Sequence, residues 1–301
     1  MSGSVWRAGR FEIDLGRPRV MGIVNATPDS FSDGEPDTSP ARAIARCERL
    51  LRDGADILDI GGESARPGAS AVDAGTELAR VVPVLEAAVQ LGCPVSIDTT
   101  KAEVMRAALD LGVDIVNDIS ALRGAGALAL VAAHGRCGVC LMHMRGTPQS
   151  MRAEAHYDDV VAEVAEFLAE RIAIAEAAGI ARERIVADPG IGFAKTAAHN
   201  LELLAGQEAL LALGVPLLAG WSRKSTIARL AGIATPPPAR TAEQRTVVEA
   251  ASVVAAVLAV QRGARIVRVH DVSATVAGLA VWQAAGRDNR GDLPTVGTTR
   301  P

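Results

Sequence analysis

The amino-acid sequence predicts an α/β protein: a single (β/α)8 TIM barrel with a short N-terminal extension and a disordered C-terminal tail. Three observations lead there. Eight short apolar runs alternate with eight Ala-rich helical stretches. Glycine closes many of those stretches, at Gly54, Gly92, Gly112, Gly179, Gly214 and Gly263, where a helix end favours a left-handed residue. The 301 residues are 49% hydrophobic but only 3% aromatic, which suits an interior of small branched side chains. That length is long for one ordinary domain and normal for an α/β barrel, which needs about 250 residues.

The strand runs are VMGIVN (20–25), DILDIG (56–61), PVSID (94–98), DIVNDI (114–119), VCLMHM (139–144), RIVADPG (184–190), VPLLAG (215–220) and RIVRVHD (265–271). Amphipathic helices are expected over 41–52, 76–90, 101–111, 126–134, 158–178, 198–213, 243–262 and 273–284. The proline cluster TPPPAR (235–240) divides the seventh helical unit into a short and a longer helix. Residues 1–18 form the N-terminal extension, placed across the bottom of the barrel. The barrel itself spans 19–285, and the polar stretch 286–301 is the disordered tail. An open doubly wound sheet is the competing architecture. It calls for Gly-x-Gly-x-x-Gly after the first strand, where NATPDSFSDG stands instead.

Composition narrows the function. A net charge of −4 opposes a broad nucleic-acid or anionic-membrane surface, since either needs a basic field. No apolar stretch of about 18 residues is present to span a membrane. The N-terminus lacks an apolar signal core, so a cytoplasmic protein is expected. Cys137 and Cys140 form a Cys-x-x-Cys spacing that suggests a redox or zinc pair. Three positions apart in a strand, however, they point to opposite faces. They read as small buried hydrophobes.

In such a barrel the active site lies at the carboxyl ends of the strands. Those ends carry Asn25, Asp59, Asp98, Asn117 with Asp118, Met142 with His143 and Met144, Asp188 with Phe193 and Lys195, Ser222 to Ser225, and Arg268 with His270 and Asp271. Each of Asp118, Asp271 and Ser222, taken singly, serves equally well as a loop tie or helix cap. Together the polar ends are costly to bury unless they have work to do. They sort into an acidic and amide set (Asp59, Asp98, Asn117, Asp188) and a cationic set (Arg66, Lys224, Arg268, His270) with Asn25 nearby. The first can read the edge of a flat heterocycle. The second suits a diphosphate with a divalent cation, and the Ser222–Ser225 turn opens a helix toward an anion.

The motifs NATPDSFSD (25–33), LDIGGESARPG (58–68), SIDT (96–99), VNDI (116–119), LMHM (141–144), DPGIGF (188–193), SRKS (222–225) and RVHD (268–271) resemble those of the dihydropteroate synthase family. The match runs over about residues 18–284, in family order, with one motif per strand. The resemblance implies a cytoplasmic, homodimeric transferase of folate biosynthesis that condenses (7,8-dihydropterin-6-yl)methyl diphosphate with 4-aminobenzoate. It implies Mg²⁺ as cofactor, held with the help of Asn25, and no nucleic-acid or membrane partner. By the same resemblance Asp98, Lys224, Arg268 and His270 are the catalytic groups. Asp59, Asp98, Asn117, Met142, Asp188, Phe193, Lys224 and Arg268 line the pterin pocket. The diphosphate and 4-aminobenzoate fall to Asn25, Phe31, Asp33, Ser64, Ala65, Arg66, Pro67, Ser222, Ser225 and His270. Sulfonamides, which mimic 4-aminobenzoate, are expected to compete.

The implied roles are electrostatic and positional, because no Ser–His–acid set is visible for nucleophilic catalysis. The loops after the first two strands, rich in Gly, Pro and Ser, are expected to be mobile. Two positions depart from the family pattern: Ala65 stands where a hydroxyl residue is common, and Glu35 where glycine is frequent. A pterin-binding methyltransferase of the corrinoid type and an inactive pterin-binding paralogue are the competing functions. The apolar segment Val253–Val260 serves either a dimer interface, which the family has, or plain burial against the barrel.

Overall fold

Uninterrupted aliphatic and β-branched runs, short and bounded by glycine or acidic residues, become strands buried on both faces. In the computed structural model, which describes residues 5–27, 39–66, 68–234 and 240–286, these are β3 (Arg19–Asn25), β4 (Ile57–Gly61), β5 (Val95–Asp98), β6 (Ile115–Asp118), β7 (Gly138–Met142), β8 (Ile185–Asp188), β9 (Leu217–Ala219) and β10 (Ala264–Val269). They are parallel and close into a barrel, with β10 paired to β3. A hairpin of β1 (Val5–Ala8) and β2 (Phe11–Asp14) precedes them.

The helices are α1 (Pro40–Arg52), α2 (Ala74–Ala88), α3 (Ala102–Asp110), α4 (Ala127–His134), α5 (Val160–Ala177), α6 (Ala197–Ala205), α7 (Ser225–Leu230), α8 (Ala242–Gln261) and α9 (Val272–Gly286). Their starts follow local chemistry. Ser39 caps α1 ahead of Pro40, and Asp73 and Asp159 cap α2 and α5. Thr241 and Gln244 form a capping box on α8. The expected helix over 198–213 is α-helical only to Ala205 and continues as a 3-10 helix over Gln207–Leu213. Gly206 stands at the break, and the apolar spacing tolerates both forms. α7 and α8 flank the proline cluster, whose residues 235–239 lie outside the described residues, as does the expected tail from 287 onward.

Side chains alternate along each strand. One set faces outward against the helices and includes Leu58, Ile60, Val95, Ile97, Val116, Leu141 and Val267. The inward set begins with an apolar layer of Met21, Ile57, Ile115, Cys140, Val186, Leu218 and Ile266. The hairpin closes this layer from below with Trp6, Ala8, Ile13 and Leu15. Trp6 Nε1 donates to Arg184 O at 2.9 Å, and Arg10 donates to both oxygens of Asp114 at 2.9 Å. Cys137 packs in the outer cluster and Cys140 in the inner one, and both are free thiols. No helix of the described residues is long and apolar enough to cross a membrane. In α8, Ala255, Ala256, Ala259 and Val260 are buried while Val254 is exposed, so only part of the Val253–Val260 segment packs inward.

Candidate active site

The next inward layer, two residues further along six of the strands, is polar apart from Met142. It comprises Asp59 after Ile57, Asp98 after Ser96, Asn117 after Ile115, Met142 after Cys140, Asp188 after Val186 and Arg268 after Ile266. The register sets Asp98 beside Asn117 and Met142 beside Asp188. A sealed apolar layer below and an open mouth above leave this layer partly dry, so its charges must find partners.

Arg268 supplies most of them. Its Nε donates to Asp59 Oδ2 and its Nη2 to Asp98 Oδ2, each at 2.6 Å. Asn117 Nδ2 donates to the same Asp59 oxygen at 3.2 Å. Asp59 Oδ1 is buried with no partner. Burial lowers the Arg268 pKa, but Asp59 and Asp98 outweigh it and raise it above the ordinary guanidinium value. Asp98 is pushed up to about 7 by burial, against the pull of Arg268 and with the help of the neighbouring Asp59 charge.

Asp188 ends β8, and its Oδ1 accepts from Gly190 N at 2.7 Å. Burial raises its pKa, opposed by that hydrogen bond and by Lys224 and Arg268. The turn beyond needs glycine. Gly190 has φ +70°, and a Cβ there would stand 1.9 Å from His143 O. This brings Phe193 under Lys224, whose Nζ lies 4.1 Å from the ring centroid. Burial, and next the Arg268 charge, lower the Lys224 pKa to about 8. Met142 joins Met144, Met151 and Ala194 in a small apolar cluster that Phe193 packs against.

The rim is built around His270. Its backbone N donates to Ser222 Oγ at 3.2 Å, and Ser222 Oγ lies 2.9 Å from His270 Nδ1. Where the Ser222 hydroxyl donates to Nδ1, the neutral ring carries its proton on Nε2, facing away from Ser222. Burial, followed by the charges of Arg223, Arg268, Arg46 and Arg66, holds the imidazole pKa well below its usual value. The sequence places His270 in the cationic set; here burial first, and then the surrounding guanidinium charges, favour its neutral form. Arg46, which sequence reasoning passed over, donates to Ile23 O and His270 O.

Asn25 ends β3 half-buried. Ser64 and Ala65 are half-buried and Arg66 is exposed, on the loop after β4. Ser225 is exposed at the first residue of α7. Phe31, Asp33 and Pro67 lie outside the described residues, as does Glu35. Asp118 and Asp271 serve their own turns, accepting from Ser120 and Leu122 and from Ser273 and Ala274. Two buried clusters lie beside the site: the sequence names His143, Phe193 and Lys195 as strand-end residues but not their contact, and Lys101 with its carboxylates was not read. Lys195 Nζ meets His143 Nδ1, Gly190 O and Phe193 O within 3.1 Å. Lys101 Nζ meets Glu63 and Glu77. Lys101 lies 38 and 24 residues from its carboxylates and Lys195 lies 52 from His143, so no local spacing announces these pairs.

The described residues contain no group of three or more His, Cys, Asp or Glu side chains placed to hold a metal. A cation here would rest on Asn25, water and ligand oxygens, a donor set that suits Mg²⁺ bound through substrate phosphates. Chemically, the mouth offers carboxylates for N–H donors, an ammonium and a guanidinium for acceptors, and an imidazole at the rim.

Residues 21–270 match the family model described as pterin binding enzyme. The dihydropteroate synthase of Neisseria meningitidis serogroup B is 50% identical over 291 residues, covering 95% of this chain and 99% of that one. The Xanthomonas albilineans dihydropteroate synthase solved with 4-aminobenzoic acid superposes with a TM-score of 0.85 at 51% identity, covering 94% and 98% of the two chains. The same enzyme in complex with 7,8-dihydropteroate gives 0.77 at 49% identity, covering 91% and 95%.

Proposed function

The chain belongs to the pterin-binding enzymes and, among them, to the dihydropteroate synthases, transferases of folate biosynthesis; from that premise we propose how its own residues carry the reaction. The reaction joins (7,8-dihydropterin-6-yl)methyl diphosphate to 4-aminobenzoate. The methylene–oxygen bond to diphosphate breaks, a methylene–nitrogen bond forms, the arylamine gives up a proton, and pyrophosphate leaves with 7,8-dihydropteroate as the other product.

The observation that carries the assignment of roles is the polar layer itself. Asp188, Asn117 and Asp59 are buried and Asp98 is largely so, with Arg268 bridging Asp59 and Asp98. Asp188 accepts from the pterin N3–H and 2-amino edge. Asn117 and Asp98 hold the remaining ring nitrogens, and Asp59 and Met142 complete the pocket. Lys224 donates to the 4-oxo and N5 side, with Phe193 beneath it, and Arg268 lies over the ring face. As the methylene–oxygen bond lengthens, positive charge spreads into the ring, and the fixed Asp98 carboxylate stabilises it.

His270 donates from Nε2 to a leaving phosphate oxygen, in the orientation Ser222 sets, and Arg268 contributes positive charge to the same phosphates. Asn25 helps hold Mg²⁺, which when bound neutralises diphosphate charge. The 4-aminobenzoate site falls to Ser64, Ala65 and Arg66 with Phe31, Asp33 and Pro67, and Ser225 takes the carboxylate. Ala65 contributes shape but no hydroxyl. Sulfonamides compete at this half-site. The exposed Val247, Val254 and Val281 on α8 and α9 support a homodimer, which sedimentation velocity checks. The chain works in the cytoplasm, without nucleic-acid or membrane partners.

The test is pyrophosphate release by the purified full chain with the pterin diphosphate and 4-aminobenzoate, suppressed when Mg²⁺ is omitted. Pterin binding without release would overturn the assignment in favour of an inactive paralogue.

A further inference from the structure

The loop between β4 and α2 carries Ser64, Ala65 and Arg66, and its stem is fastened by charges that the reaction scheme leaves unused. Lys101, at the start of α3, donates from Nζ to Glu63 Oε2 at 2.5 Å and to Glu77 Oε2 at 2.6 Å. Glu77, in the first turn of α2, is fully buried. The Lys101 and Glu63 side chains are only 20% and 22% exposed. The other Glu63 oxygen, Oε1, accepts from Val72 N at 3.0 Å. One carboxylate therefore holds both ends of the loop: it neighbours Ser64 in sequence, and it grips the residue before Asp73, which caps α2.

The stem has little other freedom. Arg80 Nη1 donates to Gly62 O at 2.8 Å. A Cβ on Gly62 would meet Val81 Cγ1 at 2.7 Å and Glu77 Cγ at 2.9 Å. Two carboxylates share one ammonium, and Glu77 Oε1 is buried with no partner. Without the ammonium, the two acids repel in a poorly hydrated pocket. Glu63, on the loop, is the one that can swing away, and it takes the Val72 tie with it.

We propose that Lys101 is a positioning residue for the arylamine half-site: through Glu63 it sets the Ser64–Arg66 segment, its own ammonium being committed to the two carboxylates. The proposal rests on the reading that this loop binds 4-aminobenzoate.

The experiment compares K101M, K101R, E63Q and R66A in the full chain. Steady-state kinetics at saturating pterin diphosphate are read beside hydrogen exchange over residues 64–72. K101M is expected to raise KM for 4-aminobenzoate about tenfold, to lower kcat less than about threefold and to leave affinity for the pterin diphosphate within about twofold. Exchange across the loop accelerates. K101R, which keeps the charge, restores KM to within about threefold. E63Q keeps an oxygen for Val72 N and gives a smaller rise in KM, so the question is answered even if K101M fails to fold. If R66A raises KM for 4-aminobenzoate while E63Q and a folded K101M leave both KM and exchange unchanged, the clasp is wrong and the loop reading stands. If R66A itself leaves KM unchanged, the loop reading falls and the proposal with it.

Discussion

Arg268 and Asp59 form the innermost ion pair of the barrel mouth, Nε to Oδ2 at 2.6 Å, with the carboxylate fully buried and the arginine side chain 21% exposed. The same guanidinium holds Asp98. Arg268→Met removes the only cation bonded to either acid among the described residues. Breaking a buried pair from one side costs about 3–5 kcal/mol. A loss toward the lower end is expected, since the mouth admits some water, together with loss of turnover. Urea unfolding checks the first and pyrophosphate release the second. A variant of unchanged stability would contradict the pairing.

The two perturbed groups of the mouth set opposite limbs of a pH profile. Asp98, raised to about 7, must lose its proton to stabilise positive charge on the pterin. Lys224, lowered to about 8, must keep its own to donate as an ammonium. So kcat/KM for the pterin diphosphate is expected to rise through about pH 7 and fall above about pH 8. The stability terms run differently. The folded chain binds the Asp98 proton more tightly than the unfolded one, so that contribution is present below pH 3.8 and is lost as pH rises through 7. For Lys224 the unfolded chain binds more protons between 8 and 10.5, so stability rises with pH across that window. A kcat/KM profile flat from about pH 6 to 9 would rule out these assignments.

The site was legible where it follows the strand period. Asp59, Asn117, Asp188 and Arg268 each stand two positions beyond a residue of the inner apolar layer, and Asp98 two beyond the buried Ser96, so a polar residue there points into the barrel. Closure itself followed from eight repeats of one unit. The protonation of His270 was not legible. Its strand assigns it to the rim, but its lowered pKa comes from burial and then from guanidinium charges, three of them on other segments, at Arg223, Arg46 and Arg66. The Lys101 pairs and the Lys195–His143 contact were hidden for the same reason, since those partners come from different barrel units.

Gly190→Ala tests how the β8 turn supports the pterin edge. The added Cβ would lie 1.9 Å from a backbone carbonyl, at φ +70°. The backbone must move, and Asp188 moves with it, because Gly190 N holds its Oδ1 and His143 N holds its carbonyl. A destabilisation above about 2 kcal/mol is expected, with weaker pterin binding in any folded fraction. Gly68→Ala is the stability control: φ is +79° but the space is open, so a loss of only about 1–2 kcal/mol from backbone strain is expected.

Trp6→Ala separates the two ends of the barrel. Trp6 is fully buried beneath the inner apolar layer and donates to Arg184 O. Its removal leaves a cavity below Met21, Ile57 and Ile115 and an unpaired carbonyl, a loss of about 3–5 kcal/mol. The polar layer, however, is positioned by strand register and by Arg268, not by the hairpin. The urea midpoint should therefore fall with the slope unchanged, while kcat and both KM values hold at temperatures where the variant is folded. A drop in kcat that matches the drop in stability would mean that the hairpin controls the mouth through the strands, and that the barrel is less rigid along its axis than its closed hydrogen bonding implies.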